Sequence, residues 1–379
     1  MTAAVLICGG GTGGHVFPGL AVADALRALA DVDVVFCGTP RGIETRVIPP
    51  RGYRLELMSA EPMTGGGPVR MVKGAVVAAR ESARALALVR RIRPRVVLSM
   101  GGYAAGPVSL AAAALRVPLA VLEPNSTIGF ANRVLAPLCA RAYVAWPEIG
   151  ERFRKGRARA YGVPLRAGFV PSTYAPRGTA RVLVMGGSQG AAALNERVPH
   201  AIARVLVDVP HLEVIHQAGR DRDSAVRAQY SALGVTRVDV VPFLDDIGAQ
   251  LARADLAVAR AGAVTVAEIA AVGRAAVLVP FPHAAADHQF RNASSLARVG
   301  GAVCIRQEAA DDVRLAREMT VLLNDDALRV RMADASRAHG KPSASLDVAR
   351  DLLDLAGIAV RPSRTNGSAA SASPSMGVA

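Results

Sequence analysis

Aromatic residues and lysine are scarce in this chain. Phe, Trp and Tyr make up 4% of its 379 residues, and the only lysines are Lys73, Lys155 and Lys341, although the formal net charge is +14. A surplus of positive charge indicates an anionic partner such as nucleic acid, an acidic lipid surface or a phosphorylated substrate. So few rings leave few platforms on which bases can stack, which argues against nucleic acid.

Cysteine and long apolar runs are also rare. The four cysteines are Cys8, Cys37, Cys139 and Cys304. No two of them form a C-x-x-C motif, so we predict reduced, structural thiols in a cytoplasmic protein. The apolar stretch 103–122 is interrupted by Pro107, Arg116 and Pro118, which disfavours a membrane span. A strand pattern that already begins at Ala3 predicts no signal peptide.

Two glycine-rich loops lie about half a chain apart, and each follows a short apolar run. The string G-G-G-T-G-G-H at 9–15 follows the run 3–8, and G-G-S-Q-G-A at 186–191 follows the run 181–185. A strand, a glycine turn and a helix in this order present free backbone N–H groups and a positive helix end to a phosphate. The pair predicts two similar domains that face each other across a cleft.

Short apolar runs alternate with alanine-rich helical patterns, which predicts an α/β protein with two doubly wound parallel sheets. The predicted strands are 32–37, 96–100, 119–122, 141–145, 182–185, 213–217, 238–242, 256–259 and 276–280. The predicted helices are 18–30, 69–91, 107–115, 191–207, 224–233, 247–253, 265–271 and 288–299. Glycine and proline cluster near 162–164, so we divide the chain into domains 1–163 and 164–343, a helix at 344–361 and a disordered tail at 362–379.

The first loop contains the G-x-G-x-x-G string of dinucleotide-binding proteins, at 9–14. That fingerprint also requires a carboxylate at the end of the second strand, and the segment 34–39 has none. Asp31 and Asp33 precede this strand, so a dehydrogenase is disfavoured. His15 at the start of the following helix is either a structural, capping histidine or a titratable group that faces the cleft.

Further polar groups follow predicted strands. A second glycine turn at 101–102 precedes Tyr103, and Glu123 ends a strand, where a buried carboxylate must be paired or face the site. Thr265 and Glu268 have the spacing of a capping box, so Glu268 either caps a helix or accepts hydrogen bonds from ribose or sugar hydroxyls.

No residue pattern predicts a metal site. The spacing of His283, Asp287 and His288 matches no standard zinc motif, and the D-x-D strings at 31–33 and 221–223 read as solvated surface charges. The basic amphipathic helix predicted at 69–95 either lies on an anionic lipid surface or is an ordinary solvated helix.

Over residues 3–355 these strings together resemble the MurG family of N-acetylglucosaminyltransferases. The matching strings are G-G-T-G-G-H-V-F-P at 10–18, G-G-Y at 101–103, G-G-S-Q-G-A at 186–191 with Asn195, P-F-L-D-D at 242–246, R-A-G-A-V-T-V-A-E-I-A at 260–270 and H-Q-x-x-N at 288–292. The resemblance implies a GT-B fold, in which the C-terminal domain binds UDP-GlcNAc, the N-terminal domain takes the lipid acceptor, and the last helix returns to the N-terminal domain.

The chain departs from the family pattern at two places. The family's H-E-Q-N is L-E-P-N at 122–125, and its G-N-P-V-R is G-V-P-L-R at 162–166. Asn125 and Arg166 match the family pattern, so we expect them to make the contacts that the resemblance assigns to them. Any role of the missing histidine and glutamine must be dispensable or supplied elsewhere.

The resemblance implies inverting transfer of GlcNAc from UDP-GlcNAc to the C4 hydroxyl of MurNAc in lipid I, which forms lipid II and UDP. The catalytic base would be His15 or, second, Glu123, and the acceptor side would include His15 and Tyr103. The residues expected to bind UDP-GlcNAc are Thr12, Gly13, Gly14, Asn125, Arg166, Ser188, Leu244, Ala263, Val264, Thr265, Val266, Ala267, Glu268 and Gln289. Backbone amides and an arginine can stabilise the leaving diphosphate, so no cofactor is expected to be required; a divalent metal is compatible but not indicated.

The implied partners are UDP-GlcNAc, lipid I, an anionic membrane surface and other proteins of cell-wall synthesis and division. The implied location is peripheral, on the cytoplasmic face of the plasma membrane. Three alternatives remain at this point: a UDP-GlcNAc 2-epimerase, a glycosyltransferase with a soluble acceptor, and a nucleotide-sensing or membrane-docking protein without turnover.

Overall fold

A computed structural model describes residues 2–58, 68–102, 105–187 and 190–362, and for residues 68–78 it describes the backbone alone. The predicted disordered tail therefore lies outside the described residues, apart from residue 362. Within the described part, two parallel sheets follow one another along the chain.

The first sheet has seven strands in the order β3-β2-β1-β4-β5-β6-β7, and all neighbours are parallel. Its strands are β1 (Ala3–Cys8), β2 (Val32–Gly38), β3 (Arg54–Leu57), β4 (Val96–Ser99), β5 (Leu119–Glu123), β6 (Arg141–Val144) and β7 (Ala158–Arg159). The central strands β1, β4 and β5 are almost entirely buried, as apolar runs covered on both faces must be.

The second sheet has six strands in the order β10-β9-β8-β11-β12-β13, again all parallel. Its strands are β8 (Arg181–Met185), β9 (Glu213–Gln217), β10 (Val238–Val241), β11 (Leu256–Ala259), β12 (Ala276–Leu278) and β13 (Ala302–Cys304). Strand order reverses beside β1 in the first sheet and beside β8 in the second. These reversals are the switch points where doubly wound sheets open crevices for ligands.

Helices cover both faces of each sheet. In the first half they are α1 (Gly13–Leu29), α2 (Glu44–Val47), α3 (Pro68–Ile92), α4 (Ala105–Ala114), α5 (Phe130–Leu135) and α6 (Pro147–Gly150). In the second half they are α7 (Ala192–Val205), α8 (Asp223–Ala232), α9 (Ile247–Arg253), α10 (Ala263–Val272), α11 (His288–Arg298), α12 (Asp312–Asn324), α13 (Asp326–His339) and α14 (Ala344–Ala356).

The last helix, α14, packs on the first sheet although it follows the second sheet in sequence. Val348 and Leu352 are fully buried in the same apolar cluster as β1 and α1. Beside them, the Asp351 carboxylate accepts hydrogen bonds from the Arg141 guanidinium (3.1 Å) and the Tyr143 hydroxyl (2.9 Å). The chain therefore crosses twice between the two halves.

Three helices begin at least two residues earlier than the sequence patterns predict. We expected starts at Pro18, Pro107 and Thr265, but α1 begins at Gly13, α4 at Ala105 and α10 at Ala263. Proline and threonine favour helix starts, yet α1 and α10 begin directly where the chain leaves a glycine turn. The consequence for the site is that Gly13, Gly14 and His15 belong to the first turn of α1.

Across the described residues, no helix combines the length and the apolar content that crossing a bilayer requires. All four cysteines are free thiols, and Cys8, Cys37 and Cys139 are buried.

Candidate active site

The two sheets present their glycine loops to a common cleft. The first loop leaves the carboxyl end of β1 and leads into α1, and the second leaves β8 and leads into α7. Helices α1 and α10 contact each other across the cleft. The Arg166 guanidinium lies 5.9 Å from the centre of the Phe17 ring on α1, so the segment between the sheets also borders the cleft.

Ser126, in the loop after β5, forms two hydrogen bonds to the second half of the chain. The Ser126 amide N–H donates to Asn292 Oδ1 (3.3 Å), and the Ser126 hydroxyl donates to the His288 carbonyl (3.2 Å). Asn292 is fully buried, and its amide group donates to the Ala261 carbonyl (3.1 Å). The loop after β5 is thereby tied to the start of α11 and to the turn before α10.

His15 is half-buried in the first turn of α1, at the first glycine loop. Its Nδ1 lies 3.4 Å from the Thr12 hydroxyl, and a Cβ at Gly101 would lie 3.7 Å from its Nε2. Burial lowers the pKa of His15, while the carboxylates of Glu123 and Glu44 oppose this effect. The imidazole is therefore neutral near pH 7, the state in which it can accept a proton.

Glu123 is buried and fully occupied by hydrogen bonds. Its Oε1 accepts from the amide N–H and the side-chain amide of Asn125 (3.1 and 3.2 Å), and its Oε2 accepts from Gly129 N–H (2.8 Å) and Asn132 Nδ2 (3.1 Å). A carboxylate with four donors shapes the loop after β5 and has little capacity left to accept a substrate proton. This geometry favours His15 over Glu123 as the base.

The glycine turn after β4 is held by the same group of residues. Asn132 Nδ2 also donates to the Leu122 carbonyl (3.0 Å), and the Ser99 hydroxyl lies 3.5 Å from Asn132 Oδ1. The Gly101 amide in turn lies 3.4 Å from the Ser99 hydroxyl. Tyr103, expected on the acceptor side, lies outside the described residues.

The second glycine loop approaches other backbone so closely that side chains are excluded. Gly190 has a φ of +70°, and a Cβ there would overlap the Ala218 carbonyl oxygen. The same carbonyl accepts a hydrogen bond from Asn195 Nδ2 (2.8 Å), and Asn195 Oδ1 is 3.2 Å from Nε2 of the buried His216. The end of this loop at Gly190 is therefore packed closely against the segment after β9. Ser188, expected to bind phosphate, lies outside the described residues.

The N-terminus of α10 has the backbone arrangement of an anion-binding site. Gly262 is the residue before the helix, so the N–H groups of Ala263, Val264 and Thr265 have no partner within it. Val266 differs from these expected binding residues: its N–H donates to the Gly262 carbonyl (3.0 Å), and its side chain is buried in the core. Ala267 also packs against that core.

Glu268 is not part of a capping box, because Thr265 lies inside α10 rather than before it. The side chain is 7% exposed, and burial raises the pKa of Glu268 to about 7, while Arg166 acts in the opposite direction. None of the described residues donates a hydrogen bond to this carboxylate. A mostly buried carboxylate to which no described residue donates is suited to a ligand's hydroxyl groups.

Leu244, Gln289 and Asn125 are the remaining expected binding residues. The Leu244 side chain packs in the apolar core beneath the cleft, in the loop after β10. Gln289 lies in the first turn of α11, and its Oε1 accepts from Phe281 N–H (3.0 Å). Gln289 therefore presents its NH₂ group, whereas the Asn125 NH₂ group is already used by Glu123.

The groups weighed as metal ligands have other partners. Asp287 forms an ion pair with Arg306 (3.0 Å), and His288 Nδ1 is 2.8 Å from the Ala285 carbonyl. Among the described residues, no three His, Cys, Asp or Glu side chains are grouped as a metal ion would require.

Sequence reasoning missed two residues of this region, Glu44 and Ser126. Glu44 is fully buried beneath the first glycine loop and accepts a hydrogen bond from Gly11 N–H (3.0 Å). The sequence did contain a signal for Glu44. The dinucleotide pattern requires an acidic residue at the end of the second strand, and here the acidic residue, Glu44, comes five residues after Thr39 instead. Nothing in the sequence marks Ser126, because its role depends on a contact with residues more than 160 positions away.

Two parallel α/β domains, each with a glycine loop and both facing one cleft, define the GT-B fold class. Models of the glycosyltransferase family 28 N-terminal domain and C-terminal domain match residues 5–144 and 181–348. The chain belongs to the MurG family, which confirms the resemblance drawn from its motifs.

The relatives cover nearly the whole chain. A UDP-N-acetylglucosamine–N-acetylmuramyl-(pentapeptide) pyrophosphoryl-undecaprenol N-acetylglucosamine transferase of Sorangium cellulosum is 54% identical and covers 93% of this chain and 88% of its own length. The protein of the same name from an Azoarcus species is 44% identical, covering 93% and 98%.

Solved structures agree with the fold. The crystal structure of MurG from Acinetobacter baumannii is 30% identical, with a TM-score of 0.75, and covers 93% of this chain and 99% of its own. A UDP-N-acetylglucosamine 2-epimerase structure has a TM-score of 0.64 at 14% identity, covering 94% and 97%, which shows a shared fold alone.

Proposed function

We propose that this chain transfers GlcNAc from UDP-GlcNAc to the C4 hydroxyl of MurNAc in lipid I, producing lipid II and UDP. Relatives of up to 54% identity named for this transfer support the reaction over the epimerase alternative, whose structures share little more than the fold. The structural observation that carries the mechanism is the position of His15 in the first turn of α1, at the first glycine loop, on a helix that contacts α10 of the other half.

The reaction is a direct displacement with inversion. His15 takes the proton of the acceptor hydroxyl, whose oxygen forms the new bond to C1 of GlcNAc as the bond from C1 to the β-phosphate oxygen breaks. The departing diphosphate gains charge at the N-terminal N–H groups of α10, the glycine loop after β8 and the Arg166 guanidinium. These groups supply the electrostatic stabilisation, so we propose that no metal ion is required.

The nucleotide is held by the second half of the chain. Glu268 accepts the ribose hydroxyls, and the backbone at Leu244 meets the uracil. The NH₂ group of Gln289 contacts the GlcNAc hydroxyls. Ser188 and Tyr103 retain their expected roles at the diphosphate and on the acceptor side.

The enzyme attaches peripherally to the cytoplasmic face of the plasma membrane through its first domain. Helix α3 carries exposed arginines at its C-terminal end, including Arg80, Arg84 and Arg90. Helix α4 packs against both α3 and α5, and Leu110 on α4 and Phe130 on α5 are 46% and 81% exposed. Apolar side chains beside arginines suit an anionic lipid surface. Cell-wall synthesis and division proteins are further proposed partners at that surface.

The test of the reaction is single-turnover transfer of labelled GlcNAc to a lipid I analogue. We expect label in the lipid fraction, an unchanged rate with EDTA, and a loss of at least about 100-fold in His15→Ala, because general bases contribute roughly 10²–10⁴. UDP-GlcNAc affinity, measured by calorimetry, should change less than about twofold because the donor is bound by the other domain.

The matched control is His211→Ala, which removes an exposed histidine before β9 and should transfer at the normal rate. Label that stays in the aqueous sugar pool would indicate an epimerase or a soluble acceptor. A normal rate in His15→Ala would remove this residue from the mechanism.

A further inference from the structure

Glu44 is a buried carboxylate that the reaction described above does not use. It is the first residue of α2, and its side chain is completely excluded from solvent. Oε1 accepts from the amide N–H and the hydroxyl of Thr39, both at 2.8 Å. Oε2 accepts from the amide N–H of Gly11 at 3.0 Å. The segment after β2 is thus joined to the first glycine loop, 33 residues earlier.

Glycines surround this carboxylate on three sides. A Cβ at Gly10 or Gly42 would overlap the Glu44 carboxylate, and a Cβ at Gly38 would lie 2.6 Å from Glu44 Cγ. Gly102 covers the side of Gly10 that faces away from Glu44. A Cβ at Gly102 would lie 2.9 Å from the Gly10 carbonyl oxygen. The backbone of the first loop is therefore enclosed between Glu44 and the turn after β4.

Burying the Glu44 carboxylate costs free energy, which argues that this side chain serves more than packing. A carboxylate removed from water loses a large hydration free energy unless hydrogen bonds replace it. No ion pair to Glu44 occurs among the residues described in the structure, so the three hydrogen bonds carry this compensation. One of the three goes to the loop that precedes His15.

The direction in which the Glu44 side chain points also distinguishes the first glycine loop from the anion-binding groups of the second half. In a dinucleotide-binding domain, the acid near the end of the second strand reaches outward to a ribose. Glu44 instead turns inward and occupies the Gly11 N–H, which is then not available to a phosphate. The first loop is thereby fixed in shape, whereas the N–H groups of Ala263, Val264 and Thr265 in the other half have no partner within α10.

We propose that Glu44 is a positioning residue that holds Gly11 so that α1 begins at Gly13 and His15 points at the acceptor hydroxyl. This proposal rests on the proposed function, because it assigns the His15 imidazole to the acceptor. The charge of Glu44 has a second effect. The groups that act on the His15 pKa are Glu123, Glu44, the Gly10 carbonyl and His288, and the two carboxylates raise it against the lowering effect of burial.

The experiment compares Glu44→Gln and Glu44→Asp with Thr39→Val as the matched control. In Glu44→Gln, the side-chain oxygen can still serve Thr39, but its NH₂ group faces the Gly11 N–H, so this contact is lost. In Glu44→Asp the charge remains and the carboxylate recedes from Gly11 by one methylene. Thr39→Val removes one hydrogen bond to Oε1 and leaves the Gly11 contact intact.

For both Glu44 variants we expect kcat to fall about 10- to 100-fold, since displacement by about 1 Å can cost a factor of 100. The KM for UDP-GlcNAc should stay within twofold. The acid limb of the kcat/KM profile should move to lower pH in Glu44→Gln, because the imidazolium loses a stabilising charge, and stay in place in Glu44→Asp. Thr39→Val should retain kcat within about threefold.

Hydrogen exchange gives a readout independent of turnover. The Gly11 amide should exchange faster in both Glu44 variants and at the original rate in Thr39→Val. Unchanged exchange and kcat in the Glu44 variants would overturn the proposal, and so would a proportional loss of donor affinity and thermal stability, which indicates a merely structural role. If Glu44→Gln does not fold, Glu44→Asp decides the matter by kcat and exchange. Wild-type chain that binds UDP-GlcNAc without transfer would instead count against the proposed function.

Discussion

At the scale of single residues, burial explains the chemistry that this cleft offers. His15 and Glu268 lie on opposite halves of the chain, and desolvation acts on each in the direction that disfavours its charged form. The histidine is kept neutral and can act as a base. The glutamate is poised between its two protonation states near neutral pH until a ligand provides hydrogen-bond donors.

We expect Glu268 to make donor binding dependent on pH. Its pKa in the free protein is raised to about 7, and ribose hydroxyls that donate to the carboxylate stabilise the ionised form, so binding lowers this pKa. The affinity for UDP-GlcNAc should therefore be full above pH 7 and fall below it, by up to about tenfold per pH unit. Calorimetric titrations between pH 5.5 and 8.5 measure this dependence.

Glu268→Gln is the control, because it keeps the shape and cannot ionise. We expect weaker binding of UDP-GlcNAc with little dependence on pH. An affinity of the unaltered chain that stays constant from pH 5.5 to 8.5 would be inconsistent with a ribose on this carboxylate.

At the scale of elements, the sequence predicts the central strands of both sheets better than the helix starts, whereas the edge strands β3, β7 and β13 were not predicted. Buried parallel strands appear as uninterrupted apolar runs, so β1, β4 and β8 can be recognised locally. Helix starts near the site are determined by the glycine turns before them. Proline at 18 therefore suggested a later start for α1 than the one observed at Gly13.

The helix α3 is the element through which we propose contact with lipid. Glutamate in place of Arg80, Arg84 and Arg90 should reduce sedimentation with liposomes that contain anionic phosphatidylglycerol by about tenfold or more, as expected for roughly 1 kcal/mol per basic residue. Wild-type binding should weaken as salt is raised.

The matched control replaces Arg314, Arg317 and Arg331 in the C-terminal half with glutamate, which gives the same change in charge elsewhere. This variant should sediment like the wild type. Binding that does not depend on lipid charge, or equal losses in both triple variants, would exclude α3 as the contact.

At the scale of the whole molecule, two glycine loops and alternating strands are sufficient to predict two facing α/β domains. The contacts that hold the cleft together are not predictable in this way. Ser126 reaches Asn292, and Glu44 reaches Gly11, through distances in sequence that no local pattern records. Glu44 was missed for a further reason, because the position of Gly10, the loop glycine that it contacts, is explained by a phosphate loop alone.

The central claim is that UDP-GlcNAc binds in the second half of the chain and directs its sugar toward His15. A crystal structure of the complex tests this most directly. The account predicts the uracil at the Leu244 backbone, the ribose on Glu268, the diphosphate at the start of α10, and the anomeric carbon on the side of the cleft that carries His15. A nucleotide bound at the first glycine loop, or a sugar directed away from α1, would contradict it.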